Sequence, residues 1–269
     1  MLYPLAKRTG FLERQPRRQI CIVVDNHGTR RARRKRVRRT RQFGLGTWPL
    51  HRKDTKLTKV RFAKALGTLL LLFAAAYGPA FLTVALLKLP PFEAVPVIIV
   101  ISLVVAILLI DVVSGRAGGF AQFGFRFCHY RYMAAAIVFG VPIAWALTIL
   151  VNHLSSGPPP PEVSFRPWMT FLYFVVGAAI QEEIIFRGLL QTSLARQFPA
   201  TLSFFGTSLS YAAIMVALLF GLIHLEVNLI TAAAAFVLGV LSGELRHRSG
   251  SLLPAILVHA VFNAFAAIL

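Results

Sequence analysis

The stretch Trp168 to Leu194, WMTFLYFVVGAAIQEEIIFRGLLQTSL, decides how this chain is read. It starts as an apolar segment suited to a bilayer and then places Glu182, Glu183 and Arg187 close together. An ionised side chain at the bilayer centre costs at least about 2.5–3.5 kcal/mol on insertion scales. These groups therefore need one another, partners on other helices, or a wet cavity. Two later apolar stretches supply candidate partners: His224 in FGLIH, and His259 with Asn263 in HAVFN. Together the residues read as one intramembrane site.

Spacing sharpens that reading. Glu183 and Arg187 are four positions apart and share a helix face, so they can pair. Glu182 is turned by about 100° from Glu183. One carboxylate can be neutralised locally while the other meets a different partner. His259 and Asn263 also share a face, and His224 lies one turn after Phe220. Carboxylates serve as general bases, and imidazole and carboxamide donors can stabilise an oxyanion. A carboxylate with a histidine can bind and deprotonate a water. Each motif alone has a bland alternative, because a lone histidine in an apolar helix usually makes only an interhelical hydrogen bond. The weight rests on three helices carrying the set together.

The rest of the chain supports a membrane setting. It is 57% apolar over 269 residues, with a mean hydropathy of +0.68. That excludes an ordinary soluble domain. The fold expected is all-α, a polytopic bundle of about seven transmembrane helices. The spans are expected at about 65–87 (with a kink at Pro79), 95–113, 133–151, 168–190, within 202–225, at 229–245 and at 252–269. A fifth span beginning at Leu202 would put His224 about 33 Å along its helix, too far to meet Glu182 at mid-depth. The segment 199–211, which contains the helix-weakening PATLSFFGTS, is therefore expected to lie along the interface, with the span starting later. Ala178, Ala179, Gly239 and Gly243 are expected to let helices approach closely.

The formal charge of +19 is uneven. Residues 1–64 hold 20 of the 29 Lys and Arg and only three acids, Glu13, Asp25 and Asp54. Residues 1–60 are expected to form a disordered basic cytoplasmic tail, and 61–269 the transmembrane domain. The run from Arg30 to Arg41, RRARRKRVRRTR, repels itself. Its expected partner is anionic lipid, at roughly 1 kcal/mol per basic residue. Nucleic acid is not expected, because no folded module or aromatic platform accompanies the run. A later translation start is a further reading, and no apolar h-region marks a signal peptide. Arg116, Arg126 and Arg131, then Arg196, then Arg246 and Arg248 fall on the tail's side of alternating spans, which places the N-terminus inside. Arg-over-Lys and Ala-rich usage points to a GC-rich bacterial genome and its cytoplasmic membrane.

Other polar residues receive structural readings. Cys21 and Cys128 form no CxxC pattern and support neither a disulfide framework nor a metal site. His27, His51, His129, His153 and His247 are expected to face solvent. Asp111 can reach an interface, Glu226 and Asn228 mark a turn, and Glu244, beside Arg246 and Arg248, is expected to form a local ion pair.

EEIIFRG (182–188), FGLIH (220–224) and HAVFN (259–263), with RSGSLLPAILVHA leading into the last, resemble the CAAX-processing and bacteriocin-processing family of intramembrane proteases. This family is also called Abi or type II CAAX prenyl protease. The resemblance covers about 165–269, and the first 60 residues have no counterpart in it. It implies hydrolysis of a peptide bond in a membrane-associated protein or peptide, by glutamate-activated water. By position, Glu182 is the general base and Glu183 the supporting acid held by Arg187. His224, with Phe220 packed beneath it, binds and polarises the water, while His259 and Asn263 stabilise the oxyanion. No cofactor is required on this reading. Two Glu and two His could hold zinc in principle, but there is no HExxH, and a metal-dependent version stays open. Two further readings are a catalytically silent membrane peptide-binding or immunity protein, and a transporter with an ionisable midplane site. The latter predicts inverted repeats, and none is visible between residues 65–150 and 168–269. Prenylation of the substrate is not readable from the sequence.

Overall fold

The computed structural model describes residues 55–115, 119–154, 166–199, 201–204 and 207–268. The N-terminal segment, with its arginine run, His27, His51 and Cys21, lies outside the described residues. Within them the chain forms seven helices: α1 Thr55–Leu87, α2 Pro91–Ser114, α3 Tyr130–Leu154, α4 Pro167–Gln197, α5 Tyr211–Ile223, α6 Leu229–Ser249 and α7 Leu253–Ile268. Five are long and apolar enough to cross a membrane, while α5 and α7 are shorter apolar helices. The all-α membrane bundle read from composition is therefore the architecture, and the protein is an integral membrane protein.

Helix α1 starts at Thr55, several residues before the apolar segment. Lys56, Lys59, Arg61 and Lys64 are good helix formers, so the helix runs past the stretch apolar enough to be buried in lipid. Pro79 lies inside continuous helix. Asp111 is exposed near the end of α2. Asn228 caps α6 through Oδ1, which accepts the Thr231 N–H at 2.8 Å. His129 caps α3 in the same way, accepting from the Arg131 N–H.

Helix α4 sits at the centre. From Gln181 to Leu190 every residue except Glu182 is buried. Phe186 stacks obliquely against Phe73 and Tyr77 of α1, and edge-on against Phe220 of α5. The hydrogen bonding of α4 widens to π-type turns at Phe171–Ala178 and Ile184–Leu190, on either side of the α-helical turn Ala179–Glu183. Such turns are rare and concentrate at functional sites.

The segment after α4 is not helical. Thr201–Phe204 (β1) and Thr207–Ser210 (β2) pair antiparallel, with Thr201 opposite Ser210. Two contacts pin β2 to α6: the Ser210 N–H donates to Glu244 Oε1 at 2.7 Å, and Arg248 Nη2 donates to the Ser208 carbonyl at 3.0 Å. Helix α5 thus begins at Tyr211, with Ser210 as its cap. This is the later start that the position of His224 demands. Backbone groups of Thr201–Phe204 find their partners across the hairpin in Thr207–Ser210.

Helices α5 and α6 approach closely. A Cβ added to Gly239 would lie 2.9 Å from the Ala217 Cβ, and one added to Gly243 would lie 2.9 Å from the Ala213 Cβ. This is the small-residue packing that brings membrane helices together where no hydrophobic driving force exists between them. Gly243→Val is expected to destabilise the fold by roughly 1–3 kcal/mol through overpacking. Gly67→Ala, where a Cβ meets nothing within 4 Å, should be neutral or stabilising. Thermal unfolding in detergent checks the pair of variants.

Candidate active site

The site is built on the middle of α4. Glu183 is fully buried, and its Oε1 lies 3.0 Å from Arg187 Nη1 one turn later. Arg187 is 1% exposed. The same Glu183 oxygen lies 2.8 Å from His259 Nδ1 of α7. A carboxylate only accepts, so the Nδ1–H of His259 donates to it. That leaves His259 Nε2 turned toward Glu182, with Oε2 at 3.6 Å. Glu182, Glu183, Arg187 and His259 thus form one contiguous group. Glu183 is neutralised from two sides. Glu182 is partly exposed, with 21% of its side chain accessible; its Oε2, the oxygen that faces His259, is buried and has no hydrogen-bond partner.

His224 ends α5, where its Nδ1 lies 2.7 Å from the Phe220 carbonyl. A carbonyl only accepts, so the Nδ1–H is the donor and Nε2 is left as an acceptor. Phe220 links the two histidines: its ring centroid is 4.6 Å from that of His224 and 5.7 Å from that of His259. The Arg187 guanidinium lies over the same ring at 4.7 Å, a cation–π contact that helps a buried cation. Phe220 therefore packs against His224 as the sequence implied, and also holds Arg187 and His259. Asn263 is tied to α4 by its Nδ2, which donates to the Phe174 carbonyl at 2.8 Å. A carboxamide carries two N–H donors, so one remains beyond this bond.

Some neighbours went unnoticed in the sequence. Gln181, buried beside the Glu pair, donates from Nε2 to the Tyr77 hydroxyl and to Ser102 Oγ, both at 3.0 Å. These bonds lock α4 to α1 and α2 directly behind the carboxylates. Gln191, one turn after Arg187, donates to the Gly243 carbonyl at 2.9 Å. The available signal was a glutamine adjoining Glu182 and another on the Arg187 face. Glu244 forms the expected local ion pair, with Arg248 at 3.2 Å, and Arg246 takes no part in it. Arg246 instead turns to the Gln122 carbonyl and to Thr192 Oγ1, because Glu244 is already held by Arg248 and the Ser210 N–H. His129, His153 and His247 are exposed, as expected. Among the described residues no group of three or more His, Cys, Asp and Glu is arranged to hold a metal ion.

Residues 164–265 match the family model described as type II CAAX prenyl endopeptidase Rce1-like. That match contains every residue of the group above, so the family resemblance carried by the three motifs holds over this stretch. No curated protein and no solved structure matches the chain.

The buried pair yields a stability prediction. Arg187→Met leaves the Glu183 charge half compensated in the interior, which should cost about 3–5 kcal/mol. Adding Glu183→Gln should recover a large part of that loss. Unfolding of the single and double variants in detergent checks this, and additive losses would show that the two side chains do not act as a pair.

Proposed function

We propose that the protein is an intramembrane endopeptidase in which Glu182 activates a water for attack on a peptide carbonyl. The family matched over 164–265 is a protease family, which supports the reaction class. The observation that carries the finer reading is the asymmetry of the two carboxylates. Glu183 is fully buried with its Oε1 met by Arg187 and His259, while the Glu182 side chain is 21% accessible; the Oε2 of each carboxylate is buried without a hydrogen-bond partner.

In this reading Glu182 takes a proton from water as the oxygen attacks the carbonyl carbon. His224, with its Nδ1–H committed to Phe220, accepts a hydrogen bond from that water at Nε2. The oxyanion of the tetrahedral intermediate is stabilised by the remaining N–H of Asn263 and, in its doubly protonated form, by the Nε2–H of His259, whose Nδ1–H is held by Glu183. Glu182 then passes its proton to the leaving nitrogen, and the C–N bond breaks to give a carboxylic acid and an amine. Glu183 and Arg187 touch no reacting atom and act as positioning residues for His259. No metal is needed for these steps.

The substrate proposed is a membrane-anchored protein or peptide. A mostly apolar cavity of about 320 Å³, lined by Phe125, Phe127, Ile184, Leu252, Leu253 and Ile256 together with Gly124 and Arg126, includes the residue that follows Glu183. It favours a segment bearing a hydrocarbon chain, prenyl groups among them. The expected setting is a bacterial cytoplasmic membrane with the N-terminus inside, supported by the arginines at the α2–α3, α4–α5 and α6–α7 turns. Labelling by an impermeant maleimide tests the orientation: Lys88→Cys should react in intact cells and Ser114→Cys only after lysis, and the reverse pattern overturns it.

The activity test uses protein in liposomes against lipidated and unlipidated anchored peptides. Glu182→Gln should lower cleavage by about 10²–10⁴-fold, the usual worth of a general base, with little change in stability. A chelator should leave cleavage by the wild type intact. Chelator-sensitive cleavage would replace this mechanism with a metal-dependent one. Peptide binding without cleavage would favour a silent binding protein.

A further inference from the structure

At the far end of α4 and α6 from Glu182 lies a cavity of about 250 Å³, lined by Gln122, Gln191, Thr192, Arg196, Arg246 and His247 among others. Its charge is one-sided. Arg246 is 7% exposed, and its hydrogen bonds go to neutral acceptors, the Gln122 carbonyl at 2.8 Å and Thr192 Oγ1 at 3.2 Å. Its Nε is buried with no partner. Arg196 donates to Gln122 Oε1 and lies over the Phe123 ring at 4.6 Å. Among the described residues no carboxylate pairs with either guanidinium. The nearest in sequence, Glu244, is held by Arg248 and by the Ser210 N–H. Arg126 adds a further guanidinium at this end, bonded to the Gly250 carbonyl at 2.8 Å.

A buried cation with only neutral partners is costly unless an anion joins it. The backbone makes room for this one: Gly124 has φ +98°, and a Cβ there would sit 2.6 Å from Arg246 Nε. Gln122 and Thr192 fix the guanidiniums in place before any ligand arrives. Guanidinium forks match phosphate oxygens two at a time. The cavity also lies at the helix ends where the bundle's arginines gather; on the orientation proposed above, that end faces the anionic headgroups of the cytoplasmic leaflet.

We propose that this cavity binds a phosphate group, gripped by Arg196 and Arg246 with His247 at the rim, and that it is a site separate from the carboxylate centre. The phosphate can belong to an anionic lipid headgroup or be free in solution, and the same experiment tells these apart. The full chain in neutral detergent is unfolded thermally with dioleoylphosphatidylglycerol, with dioleoylglycerol, or with inorganic phosphate against chloride at equal ionic strength. Phosphatidylglycerol should raise the midpoint by roughly 3–10 °C at saturation, and dioleoylglycerol should not. A matching rise with inorganic phosphate would make the ligand a soluble one. Arg196→Gln, an exposed position, should at least halve the rise. Arg248→Gln, an arginine at the same end but outside the cavity, should keep it. No rise with either phosphate source, or equal loss in the two variants, would overturn the proposal.

Discussion

The bundle depends on how one buried carboxylate is neutralised. Glu183 has no access to solvent, and its charge is tolerable only because Arg187 and His259 meet the same oxygen. This contact joins α4 to α7. Phe220 adds α5, through its contacts to Arg187, His224 and His259. Gln181 adds α1 and α2. The polar residues that cost most in a membrane are thus the ones that orient the helices around them. Removing any one leaves a charge or donor without a partner where water is scarce.

Depth is set by a second constraint. His224 can reach the level of Glu182 only if α5 is short, and the β1–β2 hairpin consumes the residues that would otherwise lengthen it. Contacts from Glu244 and Arg248 to β2 fix the hairpin to α6. Gly239 and Gly243 then let α6 press against Ala217 and Ala213. Close approach at those glycines keeps α5 near α4, and so keeps Phe220 beside Phe186.

Charge and hydropathy were enough to read the helical membrane architecture, because spans of bilayer length and arginine-rich turns are properties of composition along the chain. The Glu183–Arg187 pair was legible too, since it is local and follows from helical spacing alone. The hairpin was not. Its weak helix formers showed where the helix could not start, but strand pairing is a choice between partners that no local pattern dictates. The Gln181–Tyr77–Ser102 contacts and the path of Arg246 to Gln122 were also hidden, because they join residues far apart in sequence. Asn263 shows the same limit: its spacing from His259 fixed a shared face, but its bond to the Phe174 carbonyl appears only once α7 lies against α4.

The central claim is the division of labour between the two carboxylates. The most direct measurement is a structure of the protein in lipid, bound to an anchored peptide in which a hydroxyl-bearing carbon replaces the scissile carbonyl. The hydroxyl should lie within hydrogen-bond distance of Glu182, with Glu183 still joined to Arg187 and His259. A hydroxyl bonded to Glu183, with the Arg187 pair broken, would contradict it.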